Sequence, residues 1–407
     1  MLNGSVSGKA EMPTWGHQSV SRPRGFDLYA WRLALCLLAC CTFACKRPIP
    51  LTPYTAYVVN HQSATLAAVN LADFTVTASL PVSPQPQQVL VRPGARQLYV
   101  VSALGKIDVV EFPRLRQVAT LEIGSSAKDL AFSPGGDTAY ALDPEDHAVV
   151  AVDCGSGGSS QSAAPKVTGH LPVAGTLADM ALSPDGKTLV VSSRNPDQLT
   201  FLSTATRRTL GTVAVGQAPG PMVILPDSSK VFVADTGEDK ISAVDMASRT
   251  LLSHIEIGTR PTALLLKPDG GEIFVLAADA ATMVIVDAFH DNVEQTFPLG
   301  RDPVTGVFRS DMGALFIANA GDGSVLALDP QGRQPLASTH VGMEPVALAL
   351  TPDQRLLVVA DRAASSLAIM HADLPSLNND RSVLITSVAV GGSPVDVVIP
   401  NLVAGQH

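Results

Sequence analysis

Most of the chain alternates short apolar runs with short polar turns. One unit, Leu177–Gly216, holds apolar runs at Met180–Leu182, Leu189–Val191, Leu199–Leu202 and Leu210–Val215, and a Pro-Asp-Gly turn follows the first run. Four short apolar runs separated by tight polar turns predict one antiparallel sheet of four strands. A single sheet of this kind cannot bury both of its faces, so we expect copies of the unit to stack side by side.

The turn after the first run returns at a regular spacing. Its first residue lies at Pro93, Pro134, Pro184, Pro226, Pro268, Ser310 and Pro352, with a variant end at Pro400. Four successive spacings from Pro184 to Pro352 equal 42 residues. Two longer spacings, of 50 and 48 residues, contain a Gly/Ser-rich stretch between Cys154 and His170 and the segment 371–381. We expect both insertions to be loops, which either carry recognition or are tolerated excursions.

Two further positions repeat with the turn. A short residue ends the second run of each unit, at Ser102, Asp143, Ser193, Asp235, Ala277, Asn319 and Asp361. A glycine closes the fourth run, at Gly124, Gly175, Gly216, Gly258, Gly300, Gly342 and Gly391. We expect most of the short side chains to bond their own turn backbone, and the glycines to supply a permissive backbone where the chain turns toward the next sheet.

Three of the second runs carry a recognisable motif. Tyr57–Asn60, Phe232–Asp235 and Phe316–Asn319 read YVVN, FVAD and FIAN, and each leads to a third run such as AVD. These segments resemble the YVTN family of β-propeller repeats, and the resemblance covers residues 54–400. It implies an all-β fold, a single propeller of four-stranded blades. It implies little about activity, because similar repeats occur in surface-layer, scaffold and enzyme propellers.

The number of blades follows from the two ends of the repeat region. The first copy begins at Tyr57 without an inner strand before it, whereas the run Val395–Ile399 near the C-terminus has nothing after it. Pairing of the Val395–Ile399 run with the first copy would close the ring and remove its free edges. The sequence therefore predicts eight blades, or seven if the first copy is irregular.

The N-terminal segment has the composition of an export signal. A basic stretch ending at Arg32 precedes thirteen apolar residues, LALCLLACCTFAC, which are too few to cross a bilayer. The segment resembles a bacterial lipoprotein signal, in which a cysteine is acylated; here Cys40 and Cys45 compete for that role, and plain secretion or a short signal anchor are the alternatives. We expect a leader at 1–45, a tether at 46–53, the propeller at 54–400 and a tail at 401–407. The propeller would then be a monomer held by lipid to a bacterial envelope membrane, on its periplasmic face or at the cell surface.

Composition and charge narrow the possible partners. The chain is 46% hydrophobic and 16% charged, as expected of a folded domain rich in strands, and its formal net charge of -9 makes nucleic acid an unfavourable partner. Four of the five cysteines lie in the leader, so no disulfide can form within the repeats. The fifth, Cys154, is expected to be a small buried residue rather than a nucleophile.

The inner strands are expected to line a central channel. Five residues before the turn, several of them carry polar side chains: Gln88, Asp129, Asp179 and Thr305, with Asp396 near the equivalent place in the last copy. The carboxylates of Asp129, Asp179 and Asp396 could converge at the channel mouth and hold a hard cation such as Ca²⁺. Alternatively, these side chains are solvated or bond neighbouring backbone. No cofactor other than this possible Ca²⁺ is expected.

The loops leading into three successive inner strands carry the charged residues Arg260, Asp302 and Glu344, which are candidates for recognition of a polar ligand or partner. Motifs for covalent haem, for a serine-hydrolase elbow and for a phosphate-binding loop are absent from the sequence. The favoured function is a non-catalytic envelope scaffold or binding protein whose rim contacts another protein or envelope component. A metal-dependent hydrolase or lactonase and a subunit serving a redox partner are the alternatives.

Overall fold

A computed structural model of the protein describes residues 54–155, 164–331, 333–373 and 383–401. Within these ranges the chain forms eight antiparallel sheets of four strands arranged in a ring, with one 3₁₀ turn at Ala320–Asp322. The all-β propeller of eight blades is therefore confirmed. The predicted leader with Cys40 and Cys45, the tether, most of both insertions and all but the first residue of the tail lie outside the described residues.

The strands follow one another from the channel outward in each blade. Blade 1 contains β1 (Thr55–Asn60), β2 (Thr65–Asn70), β3 (Thr75–Pro81) and the inner strand β32 (Pro394–Val398). Blade 2 contains β4 (Pro86–Val91), β5 (Gln97–Ser102), β6 (Lys106–Glu111) and β7 (Arg116–Glu122). Blade 3 contains β8 (Asp129–Phe132), β9 (Thr138–Asp143), β10 (Ala148–Asp153) and β11 (Lys166–Pro172). Blade 4 contains β12 (Thr176–Leu182), β13 (Thr188–Arg194), β14 (Gln198–Ser203) and β15 (Thr209–Ala214).

The other four blades repeat this order. Blade 5 contains β16 (Pro219–Ile224), β17 (Lys230–Asp235), β18 (Lys240–Asp245) and β19 (Thr250–Glu256). Blade 6 contains β20 (Ala263–Leu266), β21 (Glu272–Ala277), β22 (Thr282–Asp287) and β23 (Asn292–Pro298). Blade 7 contains β24 (Pro303–Phe308), β25 (Leu315–Asn319), β26 (Ser324–Asp329) and β27 (Gln334–His340). Blade 8 contains β28 (Pro345–Leu350), β29 (Leu356–Asp361), β30 (Ser366–His371) and β31 (Leu384–Ala389).

The two ends of the repeat region complete blade 1 together. Strand β32 pairs antiparallel with β1, so that Tyr57 lies opposite Val398 and Val59 lies opposite Asp396. The turn after β1 adds a backbone hydrogen bond of 2.8 Å from His61 to the carbonyl of Ser393. This pairing leaves no blade without its inner strand, which confirms the predicted closure and excludes the seven-bladed alternative.

Burial depends on the place of a strand within its blade. The second and third strands are buried on both faces, as in β17, where only the first residue is partly exposed. Outer strands such as β23 are exposed along most of their length. The buried apolar residues form eight clusters, each shared by two neighbouring blades. Stacking of blades thus supplies the burial that a single four-stranded sheet lacks.

Several inner strands begin earlier than their apolar runs predict. Strand β4 begins at Pro86, three residues before its apolar run Val89–Val91, and β16 begins at Pro219, three residues before its apolar run Met222–Leu225. A register shift between Pro86 and Gln88 places an extra residue in this part of β4. The runs missed these residues because proline and glutamine are not apolar, although proline is tolerated at the first position of a strand.

The glycines that close the fourth runs have a different purpose from the one predicted. Among the seven, only Gly175 and Gly258 have a positive φ. A Cβ atom at Gly124 would lie 1.7 Å from an oxygen of Asp143, and one at Gly342 would lie 1.5 Å from an oxygen of Asp361. Glycine is therefore needed at most of these positions to leave room for the buried polar side chain that ends the second strand of the next blade.

Candidate functional site

The inner strands place a row of side chains at one level of the central channel. The members with a carboxyl or amide group are half-buried and lie on four consecutive blades: Asp396 on blade 1, Gln88 on blade 2, Asp129 on blade 3 and Asp179 on blade 4. We call these four residues the acidic arc. The same position on blades 5 to 8 is occupied by Pro221, Ala263, Thr305 and Ala347. The channel wall is therefore acidic on one half, while the other half carries no charge at this level.

Two carboxylates of the arc bridge neighbouring inner strands. One oxygen of Asp396 accepts a hydrogen bond from the backbone N–H of Val89 on the next blade at 2.9 Å, and the other accepts one from Val397 at 2.9 Å. Asp179 likewise accepts the N–H of Met222 on the next blade at 3.0 Å. An inner strand is the edge of its sheet, so the N–H groups that face the channel lack a strand partner. The carboxylates supply that partner.

The middle of the arc is joined by side chains. The Gln88 amide donates to Asp129 Oδ1 at 3.0 Å, and the same oxygen accepts the N–H of Leu130 at 2.8 Å. The carbonyl oxygen of the Gln88 side chain is buried and has no hydrogen-bond partner among the described residues. Next to Asp129, the ammonium group of Lys128 donates to the backbone carbonyl of Ala178, which connects blades 3 and 4.

The surroundings of the arc favour protonated carboxyl groups. Burial raises the pKa of Asp179 to about 7, with the negative charge of Asp129 as the second cause. Burial also raises the pKa of Asp396 to about 6. The pKa of Asp129 is raised by burial, although the amide of Gln88 acts against that shift. Near neutral pH, part of the arc therefore carries protons and can donate hydrogen bonds as well as accept them.

The arrangement does not match the predicted Ca²⁺ ligand set. Among the described residues, no three side chains of His, Cys, Asp and Glu lie close enough together to hold a metal ion. Asp129 and Asp179 are on adjacent blades, but the blade that carries Gln88 separates Asp129 from Asp396. The described residues therefore form no such ligand set, and binding of Ca²⁺ by these carboxylates stays a prediction. The other reading, that such side chains bond neighbouring backbone, describes Asp179 and Asp396.

The loops leading into the inner strands share one face of the ring with the turns between second and third strands, and we call this face the upper rim. On blades 6 to 8 it carries three exposed ion pairs, formed by Arg260 with Asp279, Arg301 with Asp322, and Arg362 with Glu344. Each arginine side chain is between 46% and 77% exposed.

The sequence identified Arg260 and Glu344 on this rim but not their partners. Asp302, the third predicted residue, has a positive φ, and its carbonyl accepts the N–H of Ala320 at 2.8 Å, so its backbone holds the turn of its own blade. Its negative charge also acts on Arg362. The arginines at 301 and 362 were missed because they occupy different repeat positions, and no common spacing marks them.

Cys154 lies in the core between blades 2 and 3 and is 1% exposed, which confirms the predicted burial. Burial raises the pKa of its thiol, and the hydroxyl of Tyr99 lies beside it. The guanidinium of Arg92, itself 2% exposed, donates to the carbonyl of Gly136 at 2.8 Å and to that of Gly155. These contacts join the two blades at the face opposite the upper rim.

No helix among the described residues is long and apolar enough to cross a membrane. The sequence of residues 108–255 matches a family described as lactonase, 7-bladed β-propeller, and this match covers less than half of the chain. No curated protein matches the sequence.

Several solved structures share the fold. Dihydro-heme d1 dehydrogenase NirN, in complex with DHE, is 13% identical, with a TM-score of 0.69 over 88% of this chain and 78% of that one. Apo AztD from Citrobacter koseri is 11% identical, with a TM-score of 0.66 over 85% and 97%. A functionally unknown protein from Desulfotomaculum acetoxidans is 14% identical, with a TM-score of 0.59 over 75% and 99%. At these identities the likeness concerns the fold alone, and the chain is a β-propeller with a partial match to the lactonase propellers.

Proposed function

We propose that the protein is a non-catalytic binding protein of the bacterial envelope, exported and held there by a lipid on Cys40 or Cys45, and that its upper rim contacts a protein or another envelope component. The observation that carries the binding role is the row of ion pairs on blades 6 to 8. Three arginines on consecutive blades face the solvent on the same rim, each beside a carboxylate.

Exposed ion pairs of this kind suit recognition better than stabilisation. An exposed pair contributes about 0 to 1 kcal/mol to stability, so an incoming partner can replace its carboxylate at little cost. Arginine presents a rigid fork of donors that recognises carboxylate or phosphate groups in two-point contacts. By contrast, the carboxylates of Asp179 and Asp396 already hold N–H groups of neighbouring blades and are parts of the ring itself.

The proposal can be tested with two photo-crosslinking positions matched in exposure. Met343 on the upper rim and Phe289 on the opposite face are each 69% exposed. A crosslinkable residue at 343, in the lipidated protein in cells, should give a discrete adduct that is lost when Arg260, Arg301 and Arg362 are replaced together by Ala. The same residue at 289 should give none. Adducts that form equally at both positions, or that persist without the arginines, would contradict the proposal.

The alternative is a propeller lactonase, which the partial family match favours. It would place the reaction at the channel, where the acidic arc offers carboxyl groups with raised pKa values for general acid–base work. Purified protein with and without the Asp129→Ala and Asp179→Ala replacements would be assayed on a panel of lactones, with added divalent metals. Hydrolysis by the natural sequence that both replacements abolish would establish this alternative and overturn the non-catalytic role.

A further inference from the structure

A chain of polar side chains at the junction of blades 4 and 5 connects a buried carboxyl group to solvent. Asp235 ends β17 and is completely buried, yet one of its oxygens has no hydrogen-bond partner among the described residues. Its other oxygen accepts a hydrogen bond of 2.7 Å from the hydroxyl of Ser242, which is also completely buried. Nδ1 of His254 lies 2.9 Å from the same hydroxyl oxygen, and the His254 side chain is 39% exposed.

The register of blade 5 fixes this geometry. Ser242 on the third strand lies directly opposite His254 on the outer strand, so both side chains project from the same face of the sheet. That face is turned toward the loop that arrives from blade 4, whose Gly216 donates its N–H to the Ser242 hydroxyl at 3.3 Å. A Cβ at Gly216 would lie 2.4 Å from the Asp235 carboxylate, so glycine alone leaves space for this carboxyl group.

We propose that Asp235, Ser242 and His254 form a proton relay, through which solvent titrates the buried carboxyl group and makes this junction of the upper rim responsive to pH. When Asp235 is ionised, the Ser242 proton points to its oxygen, so the His254 ring donates its Nδ1 proton to Ser242 and leaves Nε2 bare. The relay then takes up one proton from solvent at Nε2 of His254. The Nδ1 proton moves to Ser242, and the Ser242 proton moves to Asp235. The result is a neutral carboxyl group and a neutral ring that is protonated at Nε2.

The charges around the relay favour its protonated form. Burial raises the pKa of Asp235 to about 7, Ser242 lowers it by donating to the carboxylate, and the negative charge of Glu238 raises it further. The titratable and charged groups that face the relay or its adjoining loops are Glu238, Lys240 and Glu256 on blade 5 and Arg194 and Asp197 on blade 4. The positive charge of Lys240 lowers the pKa of Asp235, but Lys240 also forms ion pairs with Glu238 and Glu256.

Ionisation of Asp235 leaves a buried charge with an unpaired oxygen, which is unfavourable unless water reaches it. The segment that would have to move to admit water is the loop around Gly216, because it covers the carboxyl group directly. Contacts with both blades hold this loop: Thr236 and Gly237 donate their N–H groups to the carbonyls of Ala218 and Gln217 at 3.2 and 3.0 Å. Gln217 donates its N–H to Glu238 at 2.8 Å, and Ala218 donates to Asp197 at 3.1 Å. We therefore expect this loop to open more often above the midpoint of Asp235 than below it.

Blade 3 contains a control that lacks the central link. There the second strand ends in Asp143, and the outer-strand residue that corresponds to His254 is His170, but Val150 replaces the serine between them. The third strand of that blade therefore offers no hydroxyl group that could link the carboxyl group to the imidazole. A response at His254 that His170 lacks would report the relay rather than exposure of a histidine.

The test is nuclear magnetic resonance of the whole mature chain with labelled histidine and aspartate side chains. At about pH 8, the His254 ring should carry its proton on Nδ1, because the hydrogen bond to Ser242 selects that tautomer. Ser242→Ala should move the proton to Nε2 and raise the midpoint of Asp235, whereas Ser242→Thr, which keeps the hydroxyl, should leave both unchanged. His170 should not respond to either replacement.

Three results would overturn the relay. An Nε2 proton on His254 at about pH 8 in the natural sequence would contradict the hydrogen-bond direction. A midpoint of Asp235 that Ser242→Ala does not change would show that the hydroxyl is not coupled to it. A protection factor of the Gly216 amide against hydrogen exchange that does not fall as pH rises through the Asp235 midpoint would contradict the opening of the loop. The reference is the amide of Gly300, which lies beside the neutral Asn319 and beside Asp322, whose pKa is lowered by its contacts with Arg301.

Discussion

Replacing Asp179 by Asn should make the stability of the propeller less dependent on pH. The carboxyl group of Asp179 has its pKa raised from 3.8 to about 7, chiefly because burial disfavours its charged form and secondly because Asp129 lies beside it. In the unfolded chain the same group titrates near its ordinary value. The folded state therefore binds a proton that the unfolded state releases over the window from about pH 4 to about pH 7.

The sign follows from this difference in bound protons. A folded-state pKa above the unfolded one contributes stability below the unfolded pKa, and that contribution is lost as pH rises through the folded pKa. One proton corresponds to about 1.4 kcal/mol per pH unit, so Asp179 alone should lower the free energy of unfolding by about 3 kcal/mol between about pH 5 and about pH 8. Asn cannot ionise, so the variant lacks this component.

The measurement is urea unfolding of residues 46–407 and of their variants at several pH values in that range. Asp179→Asn should unfold at a similar or lower urea concentration than the natural sequence at about pH 5, because the amide has one oxygen to accept the backbone N–H groups of Met180 and Met222. Its relative stability should improve as pH rises. Asp227→Asn is the matched control: Asp227 is an exposed turn carboxylate whose pKa is lowered by Ser229, and its contribution is lost only in acid.

Parallel curves for Asp179→Asn and the natural sequence between about pH 5 and about pH 8 would refute the reasoning. They would mean that Asp179 is already ionised at the lower pH, so that burial in the channel wall does not suppress its charge. The reasoning would also be refuted if Asp227→Asn changed the pH dependence of stability as much as Asp179→Asn does. The change would then come from the net charge of the protein and not from the burial of Asp179 in the channel wall.

Three further predictions concern the ring and the proposed lipid anchor. Deletion of Pro394 to the C-terminus removes β32 and the Asp396 contact to Val89, so the melting temperature in scanning calorimetry should fall and the protein should aggregate; an unchanged melting temperature would contradict closure by this strand. Gly342→Ala should lower the free energy of unfolding in urea more than Gly258→Ala does, because only the Cβ at position 342 would meet a carboxylate, that of Asp361. In a background of Asp361→Ala, the loss caused by Gly342→Ala should be smaller. Cys40→Ser or Cys45→Ser should abolish incorporation of labelled palmitate; label retained in both single variants and in a variant lacking all four leader cysteines would rule out acylation in the leader.

The fold could be predicted from the sequence because the repeat spacing and the two unpaired ends give independent information. The spacing of 42 residues fixes the unit, and the unpaired Val395–Ile399 run supplies the strand that the first copy lacks. Both are properties of position along the chain. Strand starts such as Pro86 were missed because an apolar run marks only the buried part of an inner strand.

The candidate site was predicted only in part, because position along a strand does not determine what a side chain bonds. The spacing placed Asp396 at the correct level of the channel, but its partner Val89 is 307 residues away in the chain and belongs to the next blade. The relay at Asp235 was missed for a similar reason: its serine and histidine are on two different strands, and only the register of blade 5 places them together.

The glycines show how one repeat position can have two physical explanations. Gly258 has a positive φ and an open space where a Cβ would lie, and the second strand of the blade that follows it ends in Ala277, which has no polar side chain to accommodate. At five positions the following blade ends that strand in Asp or Asn and the glycine lacks a positive φ: Gly124, Gly216, Gly300, Gly342 and Gly391. Gly175 combines both reasons, since it has a positive φ and its Cβ would lie 2.6 Å from the carbonyl oxygen of Arg194. The identity of the residue that ends the second strand therefore decides whether glycine is required for its backbone or for the space it leaves. A carboxylate seated in that space, as at Asp235, is buried by the same contact that joins two blades, so its ionisation is coupled to the junction.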